Sequence, residues 1–276
     1  MFQGGRDGSS RVSASGGITL RSITAAAAIS LLALASFGTV LVFEIPHTSD
    51  DAMQYAEDHA GNPGGSLTWL CPSSDGSYHS TERIDPGITQ QDFERSMSRD
   101  VMRLGTVFAP APVDLIDPDD IHVRKVAEHI LSRTEGYSDK MRATAALWFV
   151  QTAIRYTSDE DLYGCSEFWA TPLETLYLHR GDCEDTSVLL CSLYLAMGLD
   201  CVLLDYDGHE AVGVSLGTNP DDLWYCETAS DINSSLWGFC PGDPDVYVPG
   251  QTNVVFSVLN NGIASYRNII QRVAGT

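Results

Sequence analysis

The run Arg180-Gly181-Asp182-Cys183-Glu184-Asp185-Thr186-Ser187 decides how this chain is read. It places one thiol immediately before an apolar stretch of helical length, residues 188–197. A cysteine at a helix N-terminus lies near the positive end of the dipole and the first unpaired N–H groups. That setting favours the thiolate, which is the nucleophilic form. Asp182, Glu184 and Asp185 act in the opposite sense, because nearby negative charge opposes a thiolate. Val188, Leu189, Leu190, Cys191, Leu193, Leu195 and Ala196 leave the helix no polar face, so it is expected at the centre of a core. Gly198 is its expected left-handed stop.

Downstream come Gly208-His209-Glu210-Ala211-Val212 and Trp224-Tyr225-Cys226-Glu227-Thr228. A thiol, an imidazole and a carboxylate thus follow in order, each at the edge of a different expected element. These are the parts of a Cys-His-acid hydrolase or acyl transferase. After Gly198 the residue period changes from helical to extended. Residues 201–204, 211–216 and 223–227 read as short strands, with 246–248 and 254–258 adding to them.

Upstream the signals are helical. A first helix is expected over 93–104. Asp117-Pro118-Asp119-Asp120 offers an N-cap, a proline at the first helical position and first-turn acids. Ile121, Val126, Ile130 and Leu131 make the stripe of that helix, and Gly136 ends it. Ser138-Asp139 opens another, running to about Tyr156. Thr171-Pro172-Leu173-Glu174 is a capping box with proline at the first position. Helices first and strands after give an α+β domain in which a central helix packs on an antiparallel sheet.

The ordered set Trp169-x-x-Pro172-x-Glu174-Thr175-Leu176, Gly181-Asp182-Cys183-Glu184-Asp185, Gly208-His209-x-Ala211-Val212-Gly213 and Tyr225-Cys226-Glu227-Thr228 resembles the transglutaminase-like superfamily of the papain-like fold. It looks closest to the membrane-linked archaeal and bacterial members with a GDCED motif. The resemblance covers roughly residues 120–232. It implies that Cys183 is the nucleophile, that His209 pairs with the thiolate and moves protons, and that Glu227 orients the imidazole. Many relatives carry Asp at the position of Glu227. The resemblance also implies an oxyanion site at the Cys183 N–H, with the Trp169 indole N–H and Asp182 in support. His179 is a competing imidazole close to Cys183 in sequence, on the exit from the preceding short helix. The activity implied is that of a cysteine peptidase or amidase working through a thioester, on a protein or peptide substrate. The alternative is a non-catalytic module of the same fold that binds peptide or protein.

The formal net charge is -21, from 16 Lys and Arg against 37 Asp and Glu. That balance excludes nucleic-acid or anionic-membrane binding through basic patches. It suits an Asp-rich solvated surface. No CxxC pair or His-rich cluster of zinc spacing occurs, so neither a metal nor another cofactor is expected.

Residues 22–43 carry no charge, with Arg6, Arg11 and Arg21 before them and Glu44 after. At 1.5 Å per residue they would span roughly 33 Å, enough for a bilayer core. The expected organisation is a disordered basic N-terminus over 1–21, a transmembrane anchor (or signal peptide) over 22–44, a linker or lead-in over 45–115, and the transglutaminase-like domain over 116–276. Arginines before the span place the N-terminus inside and the domain outside the cell. Cleavage after Ala33-Leu34-Ala35 is the rival reading. Export would permit disulfides among Cys71, Cys165, Cys191, Cys201, Cys226 and Cys240, with pairing left open. Cys191 and Cys201 also read as buried small hydrophobes.

Overall fold

The helix that starts at Cys183 runs to Ala196, and Leu189, Leu190, Cys191, Leu193 and Tyr194 on it have no solvent exposure. The rest of the fold is arranged to bury it. The structure is a computed structural model that describes residues 52–53, 55–56, 63–99, 101, 103, 112–206, 208–216, 223–229 and 244–249, and the backbone of 256–257.

In chain order the elements are β1 (Leu67–Pro72), β2 (His79–Ile84), α1 (Gln90–Met97), a 3-10 turn (Pro112–Leu115), α2 (Ile121–Arg133) and α3 (Asp139–Ala153). Then come β3 (Arg155–Tyr156), α4 (Asp159–Leu162), α5 (Pro172–Leu178), β4 (Arg180–Gly181) and α6 (Cys183–Ala196). Strands β5 (Cys201–Tyr206), β6 (His209–Ser215), β7 (Leu223–Cys226), β8 (Asp245–Tyr247) and β9 (Phe256–Ser257) close the series. The last five form one antiparallel sheet in the order β7-β6-β5-β8-β9. Helices before an antiparallel sheet are the α+β class expected from the sequence.

The caps explain most helix starts. Thr89 and Asp92 form a capping box on α1, and Thr171 and Glu174 form one on α5 with Pro172 inside it. For α2 the N-cap is Asp120, and Asp117 accepts the Asp120 N–H at 3.1 Å, so Pro118 precedes the helix rather than opening it. Helix α1 stops at Met97, short of the expected 104. Gly136 and Gly198 both take the left-handed conformation, at φ 77° and 78°.

Alternation along the strands splits the sheet into two faces. Cys201, Leu203, Val212, Val214, Cys226 and Tyr247 join the main core with α6. Val202, Leu204, Ala211, Leu223, Tyr225 and Val246 form a smaller cluster on the other face, with Tyr206 packed against it.

The span 45–115, expected as a lead-in, contributes to the core through its described residues. β1 and β2 pair as a hairpin from Leu67↔Ile84 to Pro72↔His79, and Trp69 meets Phe149 edge-on at 5.7 Å. Phe93 stacks on Tyr177 at 4.6 Å. Arg103 places both its terminal nitrogens on the two Glu174 oxygens, at 2.6 and 2.8 Å, with both side chains almost fully buried. No disulfide forms among the six described cysteines, and Cys240 lies outside the described residues. The expected anchor over 22–43 also lies outside them. Among the described residues no helix is long and apolar enough to cross a membrane.

Arg103→Ala leaves the Glu174 carboxylate buried and unpaired, so we expect a loss of about 3–5 kcal/mol in urea unfolding.

Candidate active site

Gly181 brings the chain into α6 in a way no other residue allows. A Cβ there would sit 2.7 Å from the Asp185 Cβ. Asp182 is the N-cap residue, yet its side chain makes no capping bond and its Oδ1 has no partner. Asp185, on the first turn, is fully buried and accepts the Ala170 N–H at 2.7 Å. Thr186 and Ser187 both meet the Thr228 hydroxyl, at 2.9 and 3.2 Å, and so tie the first turn to the end of β7.

Cys183 is half-buried, and its thiol donates to Glu184 Oε2 at 3.1 Å. Burial pushes the thiol well up, Glu184 adds to this, and a hydrogen bond from the Glu210 backbone N–H only partly offsets it. The sequence expectation that the helix terminus would favour the thiolate is therefore reversed. A helix dipole is worth about 0.3–1 kcal/mol, up to ~2 when partly buried. Desolvation of a buried group reaches ~3–5 pKa units, and each unit is about 1.4 kcal/mol.

His209 and Glu227, two of the residues the resemblance singled out, lie together. His209 Nε2 lies 2.9 Å from Glu227 Oε2. Tyr225 donates to the same oxygen at 2.6 Å, and the Ala229 N–H donates to Oε1 at 3.0 Å. Burial alone would raise Glu227, but the bonds from His209, Tyr225 and Ala229 outweigh it and hold the carboxyl down. The Glu227 bond, against burial, moves His209 up. The pair is thus an ion pair in the making, held by Tyr225.

Cys183 and His209 are not joined directly. The sulfur is bonded to Glu184 and to the amide of Glu210, the residue that follows His209 on β6. His209 is the register partner of Tyr206, and their rings lie 6.2 Å apart. By alternation His209 belongs to the Tyr206 and Tyr225 face, and Glu210 to the face that meets α6.

The resemblance implied that the Trp169 indole N–H supports an oxyanion site, but that N–H donates instead to Glu167 Oε1 at 2.7 Å. Trp169 packs instead with Leu115 and Val188. His179 caps α5 in the left-handed conformation at φ 56°, and burial lowers its pKa.

Sequence spacing did not reveal a second set of groups. One oxygen each from Asp159, Asp182 and Glu184 lies within 4.8 Å of the others. Burial first, then neighbouring carboxylates, push Asp159 to about 9 and Asp182 to about 11. Buried oxygens alone, two of them unpartnered, are a donor set for a hard cation such as Ca²⁺ or Mg²⁺. The zinc spacings sought in the sequence do not cover it, since Asp159 is distant along the chain from the other two.

No family model matches this sequence, and no curated protein matches it. Among solved structures, Legionella pneumophila LapG treated with EGTA gives a TM-score of 0.36 at 12% identity, covering 59% of this chain and 99% of that one. The calcium-bound form of LapG gives 0.34 at 13%, covering 58% and 94%.

Asp159 and Asp182 hold protons in the folded state that an unfolded chain releases near pH 4. The folded state binds more protons above that pH, so stability falls as pH rises toward 9. In chelator-treated protein we expect Tm to decline steadily from pH 5 to pH 9. A Tm that rises across that window would overturn the assignment of these protonated pairs.

Proposed function

We propose that this protein is a thiol hydrolase of peptides or amides, with Cys183 as nucleophile and the His209–Glu227 pair as its base. The observation that carries this reading is the imidazole–carboxylate pair at 2.9 Å, set at the strand end whose next amide touches the sulfur. Cys183 would lose its proton to His209 Nδ1, since Nε2 is committed to Glu227. The sulfur would attack a carbonyl carbon, and the oxyanion would meet the free N–H groups at the start of α6. The imidazolium would return its proton to the leaving amine, giving a thioester that water then cleaves. His209 must turn from its observed position to take that proton.

Asp159, Asp182 and Glu184 would hold a hard divalent cation, whose charge neutralises the carboxylates that oppose the thiolate. The N-terminal segment 22–43 would anchor the chain as a single span with the catalytic domain outside the cell, where its substrates would be proteins or peptides.

A second reading is a peptide-binding module of the same fold without catalysis. The bond from the thiol to Glu184, which holds the proton on sulfur, favours it. The two readings separate on reactivity.

For the hydrolase we expect iodoacetamide to label Cys183 faster than the half-buried Cys165, mapped by mass spectrometry with and without calcium. Cys183→Ala should abolish cleavage of a peptide library, and His209→Gln should lower it about 10²–10⁴-fold. If Cys183 labels no faster than Cys165 under either condition and the wild-type chain cleaves nothing in the library, the binding reading replaces this one.

A further inference from the structure

Strands β8, β5 and β6 lay three carboxylates in one row across the sheet. Asp245 is the register partner of Asp205, and Asp205 is the partner of Glu210. Cross-strand partners share a face, and the next row on this face, Tyr247, Leu203 and Val212, is packed into the main core. At about 4.8 Å between strands the row is roughly 10 Å long. Glu167 and Glu184 add negative charge at its Glu210 end.

Like charges directly opposite one another destabilise a sheet. Here they are also withdrawn from water. Glu210 is 8% exposed and its Oε2 has no partner. Burial, then Asp245, moves Asp205 up to about 6. Among the described residues, Arg95, Arg103, Arg133 and Arg142 form their ion pairs elsewhere. A row of carboxylates that is partly withdrawn from water is stable when an opposite charge meets it.

A metal ion does not fit this row. Among the described residues the carboxylates that converge within ligand reach are Asp159, Asp182 and Glu184, and none of the row is among them. A line of carboxylates suits an elongated organic cation, either an ammonium on a flexible stem or a planar guanidinium that binds carboxylates in pairs. The row ends at Glu210, whose amide touches the Cys183 sulfur.

We propose that Asp245, Asp205 and Glu210 recognise a lysine or arginine side chain of a peptide, next to the bond presented to Cys183. The position of that bond rests on the hydrolase reading above; recognition of the cation does not. The half-exposed Asp205 and Asp245 would receive the charge first, and Glu210 would give up its proton as the charge reaches it.

The test uses the full chain and a fluorescent oligo-arginine peptide, with the matching oligo-citrulline peptide as a neutral isostere. By anisotropy the arginine peptide should bind at least about tenfold tighter, and Asp205→Asn/Asp245→Asn should remove most of that preference. Asp119→Asn/Glu128→Gln removes as much charge from the exposed surface and should keep it. If the double row variant unfolds, Asp205→Asn alone gives the same readout. In cleavage, kcat/KM should favour arginine over citrulline peptides by about tenfold or more. Equal binding of the two peptides, or equal losses in the row and surface variants, would overturn the proposal. Selective binding with an unreactive Cys183 would sink the hydrolase and leave this inference standing. Cleavage without preference for arginine would do the reverse.

Discussion

Negative charge gathered around one sulfur is the constraint on which the rest of this structure turns. Asp159, Glu167, Asp182, Asp185 and Glu210 are all pushed up by burial and by neighbouring carboxylates. Bringing an ionised carboxylate out of water costs several kcal/mol even after the protein relaxes. These groups therefore stay protonated or await a cation. Either state controls the thiol. Cys183 donates to Glu184, so whatever neutralises that carboxylate also decides whether sulfur can keep its electron pair.

The apolar end of α6 offsets what its polar end costs. Leu189, Leu190, Leu193 and Tyr194 are fully buried, and Tyr194 donates to the Ala143 carbonyl at 3.1 Å. With the helix body locked by packing, its first turn is held in place by the Thr186–Thr228–Ser187 hydroxyl cluster and by the Asp185–Ala170 bond. Gly181 lets β4 pass close enough for Asp185 to sit beneath it. A rigid scaffold can thus carry a locally unfavourable site, which is the usual trade between stability and function.

The features legible in the sequence were those with a local cause. Thr171-Pro172-Leu173-Glu174 named α5, Ser138 named α3, and the face-free apolar run after Cys183 named the central helix. The pairing of His209 with Glu227 was legible through the family resemblance. The rest depended on distance across the fold. Asp159 reaches the α6 terminus from α4, Arg103 reaches Glu174, and no period or spacing signals either. The indole of Trp169 could not be placed because its partner, Glu167, lies two residues away in a loop without pattern. The state of the thiol was misread because dipole and burial act in opposite senses, and only coordinates show how much water is removed.

The two halves of the site owe their separation to the strand period of two. His209 and Glu210 are neighbours on β6, so one turns to the Tyr206 and Tyr225 face and the other to the α6 face. The first face carries the imidazole bonded to Glu227, and the second carries the carboxylate row, whose Glu210 amide reaches the sulfur. The same alternation leaves the sulfur and imidazole apart at rest.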